Sequence, residues 1–157
     1  VESNPPGDIP DTVAYVPWTS RDGRVTVRHP EGWAEVSLPG GARFSDKLNT
    51  VTITVRPGAL PSVAQARGQA PRLADPGRAF ELRSASAARL SAGAAVRVTW
   101  RENSAPDPVT GKVYRDEVVT YLVAGSGGRL VRLDLAGPVG ADNVDPYRTM
   151  SRSLRVS

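Results

Sequence analysis

The sequence predicts an α+β domain: an antiparallel sheet of about six to eight strands with one central and one C-terminal helix packed on it. Three observations lead there. From Val25 onward, short segments alternate apolar and polar residues, the period of a half-buried strand. Within each run of such segments the links are Pro/Gly turns or short loops, too short for the helix that a parallel crossover needs. Only the stretches 61–73 and 142–154 change to a spacing of three or four.

The early strands are Val25–Arg28, Trp33–Leu38, Ala42–Ser45 and Val51–Arg56, separated by turns at His29-Pro30-Glu31-Gly32 and Pro39-Gly40-Gly41. In the fourth, Val51, Ile53 and Val55 share one face and Thr52 and Thr54 the other. In the stretch Pro61–Leu73, Val63, Ala66, Ala70 and Leu73 form an apolar stripe behind Ser62 and Gln65, the spacing of a capping box. Gly68 weakens that helix, and Pro71 stops or kinks it. A four-stranded meander follows over Phe80–Leu90, Ala95–Glu102, Val113–Ala124 and Arg129–Ala136. Finally, Asp145 before Pro146 reads as an N-cap with proline at the first helical position, with an earlier start at Asp142 as the alternative, and Tyr147, Met150 and Leu154 give the closing helix its apolar stripe. The opening is proline-rich and polar, so residues 1–20 read as a poorly structured tether and 21–157 as one folded domain.

Composition bounds the function classes. The chain of 157 residues is 39% hydrophobic and 23% charged, near globular averages, and has no apolar run of membrane-spanning length. At this length folding buries roughly 70% of the surface of the unfolded chain, enough for a core without disulfides. The absence of cysteine removes disulfides, thiolate nucleophiles and most structural zinc sites. The net charge is +4, and all but Lys47 and Lys112 of the twenty cationic residues are arginine. These arginines are interspersed with acids and never form a basic run, which argues against nucleic acid and against a polybasic membrane patch.

Candidates for chemistry are few. His29 is the one histidine, so a Ser/His/Asp arrangement would need it. Its place before Pro30 at a strand end predicts an imidazole facing water. Gly125-Ser126-Gly127-Gly128 superficially resembles a phosphate loop but lacks the lysine and helix of that motif, and reads as a hairpin turn. Asp107, Asp116, Glu117, Asp142 and Asp145 are the acidic candidates, with oxygens too sparse for a calcium loop. Trp33 and Trp100 are expected in packing, whereas Trp18 is placed to cover an edge or line a groove. Arg97, Arg101, Arg115 and Arg132 fall on neighbouring strands. On a shared face they would make, with Trp18, a patch for an anionic ligand or acidic partner. The competing reading is sheet arginines paired with Glu102, Asp116 and Asp134.

Several local motifs together resemble a known family. They are His29-Pro30-Glu31-Gly32-Trp33, Phe44-Ser45-Asp46, the strand 51–55 before a helix, Leu133-Asp134-Leu135-Ala136-Gly137-Pro138 after the meander, and the closing Ser153-Leu154-Arg155-Val156. Over roughly Arg24–Val156 the chain resembles the PsbP-like (Mog/PsbP) superfamily, and in character its actinobacterial secreted or lipid-anchored envelope members of unknown function. The resemblance implies an α/β/α sandwich and a non-catalytic accessory role, with no catalytic motif to carry over.

The reading is therefore a non-enzymatic, extracytoplasmic accessory or binding module of a bacterial cell envelope. Its partner would be a protein or an envelope component, with no nucleic acid, cofactor or metal, and with membrane contact only through a removed anchor. The alternatives are a structural or assembly domain, or the outer sensor domain of a membrane-anchored protein. A hydrolase built on His29 or a carboxylate pair is the least favoured.

Overall fold

The structure, a computed structural model, describes residues 7–157. Its elements are β1 (Tyr15–Thr19), β2 (Val25–Pro30), β3 (Ala34–Leu38), β4 (Gly41–Ser45), β5 (Thr50–Pro57), α1 (Val63–Gln69), β6 (Glu81–Leu90), β7 (Gly93–Asn103), β8 (Arg115–Ala124), β9 (Arg129–Pro138), α2 (Val144–Ser153) and β10 (Arg155–Val156). Seven strands form the main sheet in the order β3-β4-β5-β9-β8-β7-β6, and β1-β2-β10 form a small second sheet. Every pairing is antiparallel. This is the predicted α+β architecture, with ten strands in place of six to eight. No helix among the described residues is long and apolar enough to cross a membrane.

The period of two in the strands divides the core between the two faces of the main sheet. One cluster gathers Ala42, Phe44, Val51, Ile53, Val131, Leu133 and Leu135 under the small sheet, with Met150 and Leu154 at the end of the chain. The other gathers Val96, Val98, Trp100, Val118 and Leu122 under Ala66 and Ala70. α1 begins at the foreseen capping box, Gln65 N–H donating to Ser62 Oγ at 3.1 Å and Ser62 N–H to Gln65 Oε1 at 2.9 Å. Beyond it the chain tightens into a 3-10 turn over Ala70–Leu73, carrying the proline that ends the α-helix.

Four sequence expectations are corrected. The tether assigned to 1–20 is structured over its described part: residues 15–19 are β1, and Ile9 is 5% exposed in the core. Pro17 masked that strand, but β1 is an edge, where a missing N–H costs nothing to the ladder. Residues 1–6 lie outside the described residues. The N-cap of α2 is Asn143, not Asp145, and Pro146 sits at the third helical position, where its missing N–H would have no partner in the helix anyway. The Asn143 side chain does not cap. Its Oδ1 accepts the Ile9 N–H at 2.8 Å, and its Nδ2 donates to Gly7 O at 3.1 Å and Asn49 Oδ1 at 3.3 Å, tying the N-terminal segment to the sheet. β8 starts at Arg115 rather than Val113, leaving Val113 exposed. Lastly, the end of the chain adds β10, which pairs with β2.

Candidate functional site

Each face of the main sheet is covered over only part of its width. On the face carrying α1, the helix packs on β6 and β7, and the half formed by β4, β5 and β9 lies open. There a groove of about 800 Å³ runs over the sheet. Its floor is set by register: Arg43 opposite Thr52, Thr52 opposite Asp134, Asp134 opposite Thr120, and Thr54 opposite Arg132. Its walls are the segments 38–39, 45–48, 73–78 and 104–112. Six cationic and six acidic side chains line it, so the groove is highly polar with no charge bias.

A hydrogen-bonded chain fixes the floor. Trp100 Nε1–H donates to Thr120 Oγ1 at 2.9 Å, and the Thr120 hydroxyl donates to Asp134 Oδ1 at 2.7 Å. Arg132 holds the same carboxylate, with Nε 3.0 Å from each oxygen and Nη2 2.7 Å from Oδ2. Arg132 Nη2 also donates to Leu73 O at 2.8 Å, so the floor anchors the wall that follows α1.

At the β7–β8 end, Glu102 and Asp116 are cross-strand partners, two carboxylates side by side in the groove. Burial raises the Asp116 carboxyl to about 6, with the positive charge of Arg78 opposing the rise. Burial also raises Glu102, again opposed by Arg78 and reinforced by Asp116. A carboxyl whose native value lies above its unfolded value favours the fold fully below about pH 3.8, and loses that contribution as pH rises through about 6. Asp116→Asn is therefore expected to stabilise the protein at pH 7 to 8 and leave it unchanged at pH 3.5. Solvent at the half-buried carboxyl keeps the gain to about 1 kcal/mol. Denaturant midpoints of both proteins at the two pH values check this; a gain at pH 3.5 equal to or larger than the gain at pH 7 to 8 contradicts it.

The predicted patch does not assemble. Arg97, Arg101 and Arg115 share the face opposite the groove, whereas Arg132 is on the groove floor and Trp18 is half-buried in the small sheet. The reason is register parity: Arg132 stands across from Leu122, not from Tyr121, which pairs with Arg97. Arg101 contacts Glu117 at 3.9 Å, and Arg115 contacts Glu81 at 3.4 Å and the Ala79 carbonyl at 2.8 Å. The paired reading thus holds for these, with different acids: Glu102 and Asp116 belong to the other face. Only Arg132–Asp134 forms as foreseen.

The other candidates resolve simply. His29 is 8% exposed, its ring stacked on Phe44 with centroids 3.6 Å apart, and its Nδ1 lies 3.1 Å from Pro30 O. It packs in the core instead of facing water, because residues 25, 27 and 29 share the buried face of β2. Gly125–Gly128 is the β8–β9 turn, closed by Gly125 N–H on Arg129 O at 2.7 Å, with Gly127 and Gly128 at φ +69° and +71°. Asp107 accepts the backbone N–H groups of Val109 and Thr110, which hold its carboxyl below the usual range. Thr52, Thr54, Asp75 and Arg78 were missed as site residues. The available signal was Thr52 and Thr54 on one face of β5 and Arg132 and Asp134 on one face of β9: polar side chains at the middle of a strand face imply that nothing apolar covers them there.

No family model matches the sequence, and no curated protein does. Solved structures do match over nearly the whole chain. The solution structure of the cyanobacterial PsbP protein CyanoP from Synechocystis sp. PCC 6803 aligns with a TM-score of 0.60 at 16% identity, covering 98% of this chain and 100% of that one. The Ran-binding protein Mog1p of Saccharomyces cerevisiae gives 0.59 at 11% identity, covering 92% and 96%. LpqN of Mycobacterium tuberculosis, described as involved in cell envelope biogenesis, gives 0.55 at 13% identity, covering 94% and 92%. At such identities the likeness is one of architecture, and this chain has a PsbP/Mog1-like fold.

Proposed function

We propose that the protein is a non-catalytic, extracytoplasmic binding module that holds an extended polar segment of a partner protein in the groove over β4, β5, β9, β8 and β7. The observation that carries this reading is the open, charge-balanced groove of about 800 Å³ on the face of the sheet that α1 covers only in part. Five strands about 4.8 Å apart make a floor about 19 Å across, the length of about six residues of extended chain. Threonine hydroxyls, carboxylates and guanidinium groups of both signs offer such a segment hydrogen bonds without selecting for net charge. A role at the cell envelope is supported by the sequence resemblance and by the fold shared with LpqN, whose description places that protein in envelope biogenesis.

The test is affinity capture from a native envelope fraction with the wild-type domain and with Thr52→Arg and Thr54→Arg. Both positions are half-buried on the groove floor, and the added side chains fill it. A partner retained by wild type and lost from both variants, with their melting temperatures near that of wild type, is the expected result. Equal capture by all three proteins would remove the groove as the binding site.

A further inference from the structure

The opposite face of the main sheet has its own uncovered part. There α2 and the small sheet cover the β4, β5 and β9 half, and a cleft of about 440 Å³ remains between α2 and the strands β7 and β8. Its floor is apolar, with Leu90, Val119, Tyr121 and Pro138. Its rim is basic: Arg89, Arg97, Arg148 and Arg152 stand there against one acid, Glu117, which Arg101 already engages at 3.9 Å. Arg148 reaches Asp145 at 3.5 Å in an exposed turn of α2. Arg89, Arg97 and Arg152 form no ion pair among the described residues.

Arg148 and Arg152 are four apart on α2, so they stand on one side of the helix and repel each other. Arg97 faces them from the sheet, beside Tyr121 across the β7–β8 ladder. Positive charge converging on an apolar floor is complementary to an anion with an apolar body, and a guanidinium can take a carboxylate or phosphate through two parallel hydrogen bonds. The volume lies in the range of small-ligand pockets, about 300 to 1,000 Å³.

We propose that this cleft binds a small amphiphilic anion. The apolar body lies on Leu90, Val119 and Tyr121, and a single carboxylate or phosphate head is held by Arg97 and Arg152. The site lies on the other side of the sheet from the groove and stands or falls independently of it.

Isotope-labelled protein is titrated with octanoate and octyl phosphate below their micelle concentrations and followed by amide chemical shifts. Octyl glucoside, octyltrimethylammonium and inorganic phosphate are the controls. Saturable shifts at Leu90, Val119 and Tyr121 with either anionic amphiphile are expected, weakening with salt. The tighter of the two identifies the head group. Affinity should fall about tenfold or more in Arg97→Gln and in Arg152→Gln, and less in Arg97→Lys, since each guanidinium supplies a charged hydrogen bond. Comparable binding of octyl glucoside or of inorganic phosphate overturns the proposal, as does unchanged affinity in the glutamine variants. Binding only to vesicles containing phosphatidylglycerol, with no shifts from the monomeric anions, also overturns it and makes the cleft a membrane contact.

Discussion

Gly41→Ala is expected to destabilise the fold by about 3 kcal/mol or more, a fall of about 10 °C in melting temperature. Gly41 is the first residue of β4, paired with Thr54 of β5. A Cβ built there would lie 1.8 Å from Ile53 O and 2.9 Å from Thr54 Cα, so the obstacle is partner backbone that no rotamer change can move. The two strands must separate, and with them go the groove wall at Leu38 and Pro39 and the floor at Arg43. Gly68→Ala is the matching control: it lies in α1 with nothing within 4 Å of its added Cβ, and should stabilise by about 0.5 to 1 kcal/mol. Thermal and denaturant unfolding of the two variants check the pair. A Gly41→Ala protein as stable as wild type would contradict the β4–β5 register.

Trp100→Ala should cost about 3 to 5 kcal/mol. Trp100 is 2% exposed, the largest side chain of the cluster beneath α1, packed at 5.6 Å against the Phe80 ring. It also starts the polar chain through Thr120 and Asp134 to Arg132. Trp100→Phe separates the two roles, keeping most of the packing while depriving Thr120 of its donor, for about 1 to 2 kcal/mol. Because Arg132 also holds Leu73 O, the Phe variant is expected to loosen the groove wall after α1. Amide exchange in residues 73–78 should quicken relative to the β5–β9 ladder. A Phe variant with wild-type stability and unchanged exchange there would remove the chain as an organiser of the site.

Much of the fold was legible because local signals agreed with tertiary demands. The alternation in 51–55 and 129–136, the capping box at Ser62–Gln65 and the double glycine at 127–128 each specify local geometry, and all formed as read. What failed depends on distant partners. Pro17 reads as a strand breaker unless its strand is known to be an edge, and Asn143 caps by position while spending its side chain on Gly7 and Ile9, far away in sequence. His29 of the small sheet is buried against Phe44 of the main sheet. The arginine patch failed for one reason: spacing within a strand gives a residue's face, but the register between strands decides which faces coincide. Arg132 and Arg97 are separated by the thickness of the sheet for that reason. The extent of the groove was hidden, since it is set by where the 3-10 turn at Ala70–Leu73 ends the cover of the sheet, whereas the polar residues of β5 and β9 marked its floor.

The central claim is that the groove over Thr52 and Asp134 is where a partner protein lies. Site-specific photo-crosslinking tests it most directly, with a benzophenone amino acid at Thr54 on the groove floor and, separately, at exposed Arg155 of β10. Irradiated in a native envelope preparation, the Thr54 probe should give a discrete adduct with one partner protein, absent from the Arg155 probe and suppressed by adding the Thr52→Arg change. The same adduct from both positions, or none from Thr54, would contradict the account.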